Sequence, residues 1–397
     1  MSVPKLRFPE FSDAGEWEEK KLGDIAPLQR GFDLPTYNLE TGSIPVVYSN
    51  GIQNYHKEGM AKAPGLVTGR SGTIGKLHFI EAGDYWPHNT ALWVTSFKHN
   101  IPKFVYFLYL VIGMERFASG SGVPTLNRNY VHAFETCIPL LPEQKKIADC
   151  LSSLDDRITA ETQKLDTLKA HKKGLMQQLF PAEGETMPKL RFPEFQDAGE
   201  WEEKELGEIS RKIMVGIASA ATHAYRKSGI ILFRNQNIKE GYLDDSDILF
   251  IDEDYEKLHK SKRLKSGDLL TARTGYPGTT CVVPEKYEGS QSFTTLITRP
   301  NNSIVNSEYL CIFINPEKGQ AFFNSTKIGG GQKNVNAGSL VVMPILYPSH
   351  QEQQKIADCL ISIDEAISLQ SQAIDLLKLH KKGLMQQLFP SVEEVKR

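Results

Sequence analysis

The 397 residues contain no apolar run near the roughly 18 needed to cross a bilayer, which leaves no helical membrane span in this sequence. The first residues, MSVPKLRFPEF, lack the apolar core of a signal peptide, so a cytoplasmic location and no membrane partner are expected. Cysteine is scarce: Cys137, Cys150, Cys281, Cys311 and Cys359 form an odd set with no CxxC. That argues against both a zinc site and a disulfide framework. The histidines are scattered and form no ligand cluster, and HExxH and GxSxG are both missing. Neither sign of charge dominates, with 46 Lys and Arg against 48 Asp and Glu. A small autonomous DNA-binding domain is usually basic, so this balance counts mildly against nucleic acid. A larger protein can still confine its basic groups to a cleft.

What is present is repetition. PKLRFPEF at 4–11 returns at 188–195, and DAGEWEEK at 13–20 returns at 197–204, both at a shift of 184. Over residues 3–25, 19 of 23 positions are identical. A second block at 143–181 returns at 352–390, opening EQKKIADCL and EQQKIADCL and closing on HKKGLMQQLFP in both. Its shift is 209, so the second copy carries 25 more residues between its blocks. Long identity flanking divergent stretches means two modules with a shared frame and different content.

The second block is helical by period. Ile147, Leu151, Leu154, Ile158, Leu165, Leu168, Leu175 and Leu179 alternate spacings of 4 and 3, with breaks at Glu161 and Lys172. The copy repeats the seam, with breaks at Gln370 and Lys381. Pro142 suits a first helical turn, Ser349 with Glu352 fits a capping box, and Pro181 and Pro390 end the pattern. Each helix should cover roughly 37 residues, about 55 Å. A stripe that long cannot bury itself, so antiparallel pairing of the copies is expected, with the polar breaks setting register. The alternative is that each seam packs on its own domain alone. His171, Lys172, Lys173 and Gly174, matched by His380, Lys381, Lys382 and Gly383, suggest a face that a partner protein approaches closely. A solvated basic helix end that complements the helix dipole is the equal alternative.

Residues 26–141 and 210–348 differ but follow one plan. Each has a Gly-punctuated loop between β-like runs, TGRSGTIGKLHFI at 68–80 and TARTGYPGTTCVV at 271–283. Arg70, Gly72 and Gly75 align with Arg273, Gly275 and Gly278. Such glycines permit tight turns, and an Arg there can fork onto a guanine edge or a phosphate. An ordinary β-turn with an exposed Arg is the plain alternative. GRSGTIGK is no P-loop, because Arg70 and Leu77 stand where Gly and Ser or Thr are required. Helical stretches around 103–118 and 307–325 precede GSGVPTLNRN at 120–129 and GGGQKNVNAG at 329–338. Asn127 aligns with Asn336, and both segments suit phosphate and base-edge contacts. Asn also serves commonly in left-handed turns. FRNQNIKEGY at 233–242 is a further amide-rich run, while Tyr85, Trp86 and Trp93 read as core.

The first block, the EQxKIADCL helix and the duplicated layout together resemble the specificity subunit of type I restriction-modification enzymes, over essentially the whole chain. The resemblance implies an α+β molecule in which two α/β target recognition domains alternate with two long helices packed as an antiparallel coiled coil, with pseudo-twofold internal duplication. The expected boundaries are 1–141 and 182–348 for the recognition domains, 142–181 and 349–390 for the helices, and 391–397 for a tail. It implies double-stranded DNA as a partner, contacted in the first domain by Arg70, Ser71, Thr73, Lys76, Asn127, Arg128 and Asn129. In the second domain the corresponding residues are Arg234, Asn235, Arg273, Thr274, Tyr276, Lys333, Asn334 and Asn336. It also implies two methyltransferase subunits, with S-adenosylmethionine bound there and no cofactor or metal in this chain. A restriction and translocation subunit joins such assemblies. The chain has no Pro-Pro, hence no NPPY or DPPY methyltransferase motif, so a non-catalytic role is expected. The target should be asymmetric and interrupted, with half-site centres about 10 bp apart and helix length acting as a ruler. A stand-alone DNA-modifying enzyme and a protein-binding coiled-coil scaffold are the competing readings.

Overall fold

The computed structural model describes residues 3–119, 124–315, 322 and 335–391. Two compact units emerge, Met1–Leu165 with Leu369–Arg397, and Asp166–Ser368. Two 39-residue helices, Leu141–Leu179 and His350–Leu388, contribute to both units, because the division falls within each of them.

In the first unit a four-stranded antiparallel sheet runs in the order Leu28–Arg30, Ala91–Val94, Gly65–Gly69, Leu77–Ile80. A second sheet, Gly51–His56, Ile44–Tyr48, Asp84–Pro87, Ala61–Lys62, contains one parallel pair, Ile44–Tyr48 with Asp84–Pro87. Glu18–Lys21 pairs with Glu135–Ile138.

Taken by itself, the second unit has a similar plan, with its parallel pair, Ile230–Phe233 with Gln291–Ser292, at the edge of the mixed sheet instead of its centre. Its sheets are Ser210–Val215, Leu296–Pro300, Leu269–Thr271, Thr280–Val282, and Tyr225–Arg226, Leu249–Ile251, Ile230–Phe233, Gln291–Ser292. Glu202–Glu205 pairs with Pro344–Tyr347. The class is therefore α+β throughout, and the α/β expectation for the recognition domains needs correction. Parallel strands require long crossovers, usually helical, whereas most neighbours here are antiparallel, several of them joined by short hairpins.

The repeated sequence blocks do the same packing in each unit. In the first, Trp17 and Phe104 lie 6.2 and 5.4 Å from Phe389, at the end of the second long helix. In the second, Trp201 and Tyr309 lie 6.1 and 5.6 Å from Phe180, at the end of the first. Backbone bonds of 2.9 Å, Leu6 N–H to the Gln387 carbonyl and Leu190 N–H to the Gln178 carbonyl, tie the PKLRF block to the QQLF block. These contacts explain why both blocks are nearly invariant between the copies.

The helix starts are latched by the EQ dipeptide. Glu143 takes a two-pronged bond from Arg7 at 2.8 and 2.7 Å, and Glu352 takes one from Arg191 at 2.8 and 2.6 Å. Only half of the expected capping box forms. Ser349 Oγ accepts from Glu352 N–H at 3.4 Å, and the Glu352 carboxylate is occupied by Arg191. Next to it, Gln144 accepts from Ile101 N–H and Gln353 from Asn306 N–H, holding the shorter helices Pro102–Ile112 and Ser307–Ile314. The first of these stops before residue 118 because Gly113, at φ +74°, breaks the helical backbone.

Candidate nucleic-acid interface

Each Gly-punctuated loop caps a β-hairpin. Gly65–Gly69 pairs with Leu77–Ile80, and Leu269–Thr271 pairs with Thr280–Val282. Gly75 and Gly278 hold φ of +76° and +93°, and Gly278 N–H bonds back to the Ala272 carbonyl at 2.9 Å. A hairpin has no following helix to hold a phosphate, which agrees with rejecting a P-loop.

The fold brings these loops beside the second predicted segment. In the first unit the Arg70 carbonyl accepts from Leu126 N–H at 2.8 Å, and Ser71 bridges to Thr125. In the second the Arg273 carbonyl accepts from Val335 N–H at 3.4 Å, while Arg273 Nε donates to the Val335 carbonyl at 3.2 Å. Leu126 and Val335 are equivalent under the 209 shift. Asn127 and Asn336 follow directly. Neither is left-handed; both are helix N-caps, accepting from Asn129 N–H at 3.0 Å and Ser339 N–H at 2.9 Å.

Not every predicted contact residue is free to face a ligand. Arg234 Nη2 bonds to the Asp247 side chain and carbonyl, both at 2.9 Å, and Gln236 shares that carboxylate. Asn235 and Asn237 have both ends of their amides bonded within the unit. The amide-rich run looked like a base-reading loop, but it is a turn whose Asn235 and Asn237 amides are paired within the unit, with Arg234 Nε left without a partner. Arg70 donates only weakly, to the Asn89 carbonyl at 3.4 Å. Thr73, Arg128, Asn129, Thr274 and Tyr276 are exposed, Tyr276 by 85 %; Lys76 is exposed as well and bonds to the Asn50 carbonyl at 3.2 Å. Lys333 and Asn334 lie outside the described residues.

Sequence reasoning missed Asn89, which bonds to Asp33 beside the first loop, and Thr294, which sits beside the second. No spacing marks either one; they arrive through sheet pairing. Charge at the first cluster comes from Arg and Lys. Burial lowers the His78 and His88 imidazoles from their ordinary value, and burial followed by nearby Arg128 lowers His132. These rings are therefore neutral at pH 7. His132 Nε2 consistently accepts a bond from Leu28 N–H at 2.8 Å.

The predicted docking residues divide. Lys381 pairs with Asp155 at 2.5 Å in the first unit, and Lys172 with Asp364 at 2.6 Å in the second. Both lysines therefore act between helix segments. His171, Lys173, His380 and Lys382 are exposed, and a Cβ added to Gly174 or Gly383 would meet nothing within 4 Å. Among the described residues no helix is long and apolar enough to cross a membrane.

The type I restriction modification DNA specificity domain matches residues 14–170 and 198–379. The chain belongs to this family, the specificity subunits of type I restriction-modification systems. It is similar to the type I restriction enzyme MjaVIII specificity subunit of Methanocaldococcus jannaschii, 26% identical across 98% of this chain and 95% of that protein. A putative MjaX specificity subunit from the same organism is 24% identical, across 100% of this chain and 88% of its own length. The fold is shared with the crystal structure of a type I S subunit from M. genitalium, at TM-score 0.65 and 13% identity, covering 98% and 99% of the two chains. It is also shared with a chain solved in work on complex assembly and conformational transition of the type I system, at TM-score 0.55 and 16% identity over 96% and 97%.

Proposed function

We propose that this specificity subunit reads an asymmetric, interrupted DNA target, one half-site per unit, and has no catalytic activity of its own. One observation carries the reading: the DNA specificity domain matches twice, on two frames with similar sheet plans and different loop chemistry. The first loop cluster offers Arg70, Ser71, Thr73, Lys76, Arg128 and Asn129 to DNA; the second offers Thr274, Tyr276 and part of Arg273. Two unlike clusters favour two unlike half-sites.

Adenine methylation then belongs to two partner methyltransferase subunits, which bring S-adenosylmethionine, and a restriction and translocation subunit joins them. The two long helices form an antiparallel coiled coil with a pseudo-twofold. Two features support this. Asp155–Lys381 and Asp364–Lys172 are the same pair under the 209 shift, and Glu161 bonds to its own counterpart, Gln370, at 2.7 Å. His171, Lys173 and Gly174, with His380, Lys382 and Gly383, are the proposed docking residues.

The test is methylome sequencing of a host that expresses this chain with its methyltransferase. The expected result is methyladenine at a motif with two different half-sites and an unread gap. A contiguous motif, methylation without sequence preference, or methylation by the purified chain alone would each defeat the reading.

A further inference from the structure

We propose that Asn235 is a positioning residue for target reading: its carboxamide sets the pose of the second Gly loop, and so governs discrimination at one half-site only. The inference rests on the DNA-reading role proposed above.

Asn235 opens the short turn Asn235–Asn237 that follows the strand Ile230–Phe233. Asn237, 2% exposed, locks that turn by accepting from Arg234 N–H and donating to the Asp244 and Asp247 carbonyls, each at 2.9 Å. On this fixed base the Asn235 amide has only one orientation. Its Oδ1 accepts from Arg273 N–H at 2.7 Å, and a backbone N–H can only donate. Its Nδ2 donates to the Thr294 carbonyl at 3.5 Å and Thr294 Oγ1 at 3.2 Å. A reversed amide would set donor against donor.

Both anchors of this bracket are unusual. Thr294 is β-branched yet holds φ +53°, in the region that strains such residues. It is kept there by its N–H to the Ile217 carbonyl at 2.9 Å and by Phe293 N–H to the Phe233 carbonyl at 2.7 Å. Arg273 is the last residue before the exposed tip, and its own bonds to Val335 carry the bracket to the segment that Asn336 caps. Beyond it stand Thr274 and Tyr276, both exposed. One side chain thus joins three strand connections at the root of the loop that offers Tyr276.

The first unit builds the same root differently. There Arg70 N–H and Ser71 N–H both bond to the Thr90 backbone carbonyl, at 2.9 and 3.1 Å. No single side-chain substitution removes that link, so the first loop serves as an internal control.

The experiment uses the full complex with its methyltransferase and measures methylation rates on duplexes varied base by base in each half-site. Asn235→Ala should lower discrimination at one half-site about tenfold, the effect of orphaning a buried donor, and leave the other within about twofold. Asn235→Asp keeps the acceptor for Arg273 N–H and loses the donors to Thr294. It should give a smaller loss at the same half-site, and it carries the test if the Ala variant fails to assemble. Equal loss at both half-sites, or full discrimination in both variants, overturns the bracket while DNA reading stands. A wild-type complex with no half-site preference removes DNA reading itself, and the bracket with it.

Discussion

Arg7 and Arg191 show how single residues hold the frame together. Their side chains are 10% and 6% exposed, and the glutamates they grip, Glu143 and Glu352, are 2% and 1% exposed. A carboxylate buried this deeply is tolerated because a guanidinium fork satisfies both oxygens; Trp17 Nε1 adds a third bond to Glu143 at 3.3 Å. Removing one partner leaves the other charge unpaired. Arg7→Ala or Arg191→Ala should therefore destabilise its unit by about 3–5 kcal/mol, read by denaturant unfolding. Adding Glu143→Met to Arg7→Ala should recover part of the loss. If the double variant were as unstable as the single one, the unpaired charge would not be the cause. The arginine and the glutamate are 136 residues apart in the first copy and 161 in the second, so their repetition was legible in the sequence and their pairing was not.

At the scale of the element, the long helices explain their own polar interruptions. Glu161 and Gln370 satisfy one another, and Lys172 and Lys381 each find an aspartate, so groups that would be orphaned in an apolar seam are bonded. The seam also varies along its length. Ile147 and Leu151 are buried at 1% and 0%, close to their unit's core, while Leu154, Ile158, Leu165 and Leu168 are half-buried. Two helices alone cannot cover each other's stripes, so the readable period overstated the burial. The glycines near the helix ends give a second expectation. Nothing crowds Gly174 or Gly383, and glycine costs about 1 kcal/mol against alanine inside a helix. Gly174→Ala and Gly383→Ala should each raise stability by about that amount. Weaker assembly with the methyltransferase in the same variants would identify a docking face; unchanged assembly would favour a solvated helix end.

For the whole molecule, the consequence lies in the gap between half-sites. Both units take in part of each long helix. A four-residue insertion near Gln163 adds about 6 Å of helix to an element they share. It should lengthen the unread gap in the methylated motif and leave both half-sites as they were. Altered half-site letters with an unchanged gap would refute the ruler. The difference between the copies points the same way. The 25 additional residues lie between the repeated blocks of the second copy, while the repeated blocks keep their contacts. Content therefore changes inside a constant frame.

Sequence alone determined the duplication, the two helices and the family, because identity at a fixed shift within each block and a 3.5-residue period are one-dimensional properties. It also placed Arg70 and Arg273 on matching loops. Only the tertiary structure decided what those loops can use. Local side-chain bonds made Asn127 and Asn336 helix caps, while bonds brought about by sheet pairing assigned Arg234 to Asp247 and Asn235 to the root of the second loop. It left Tyr276 at the tip, facing solvent. A polar side chain reads the same in a sequence whether it is bound inward or offered outward, and its partner's position is set by the fold.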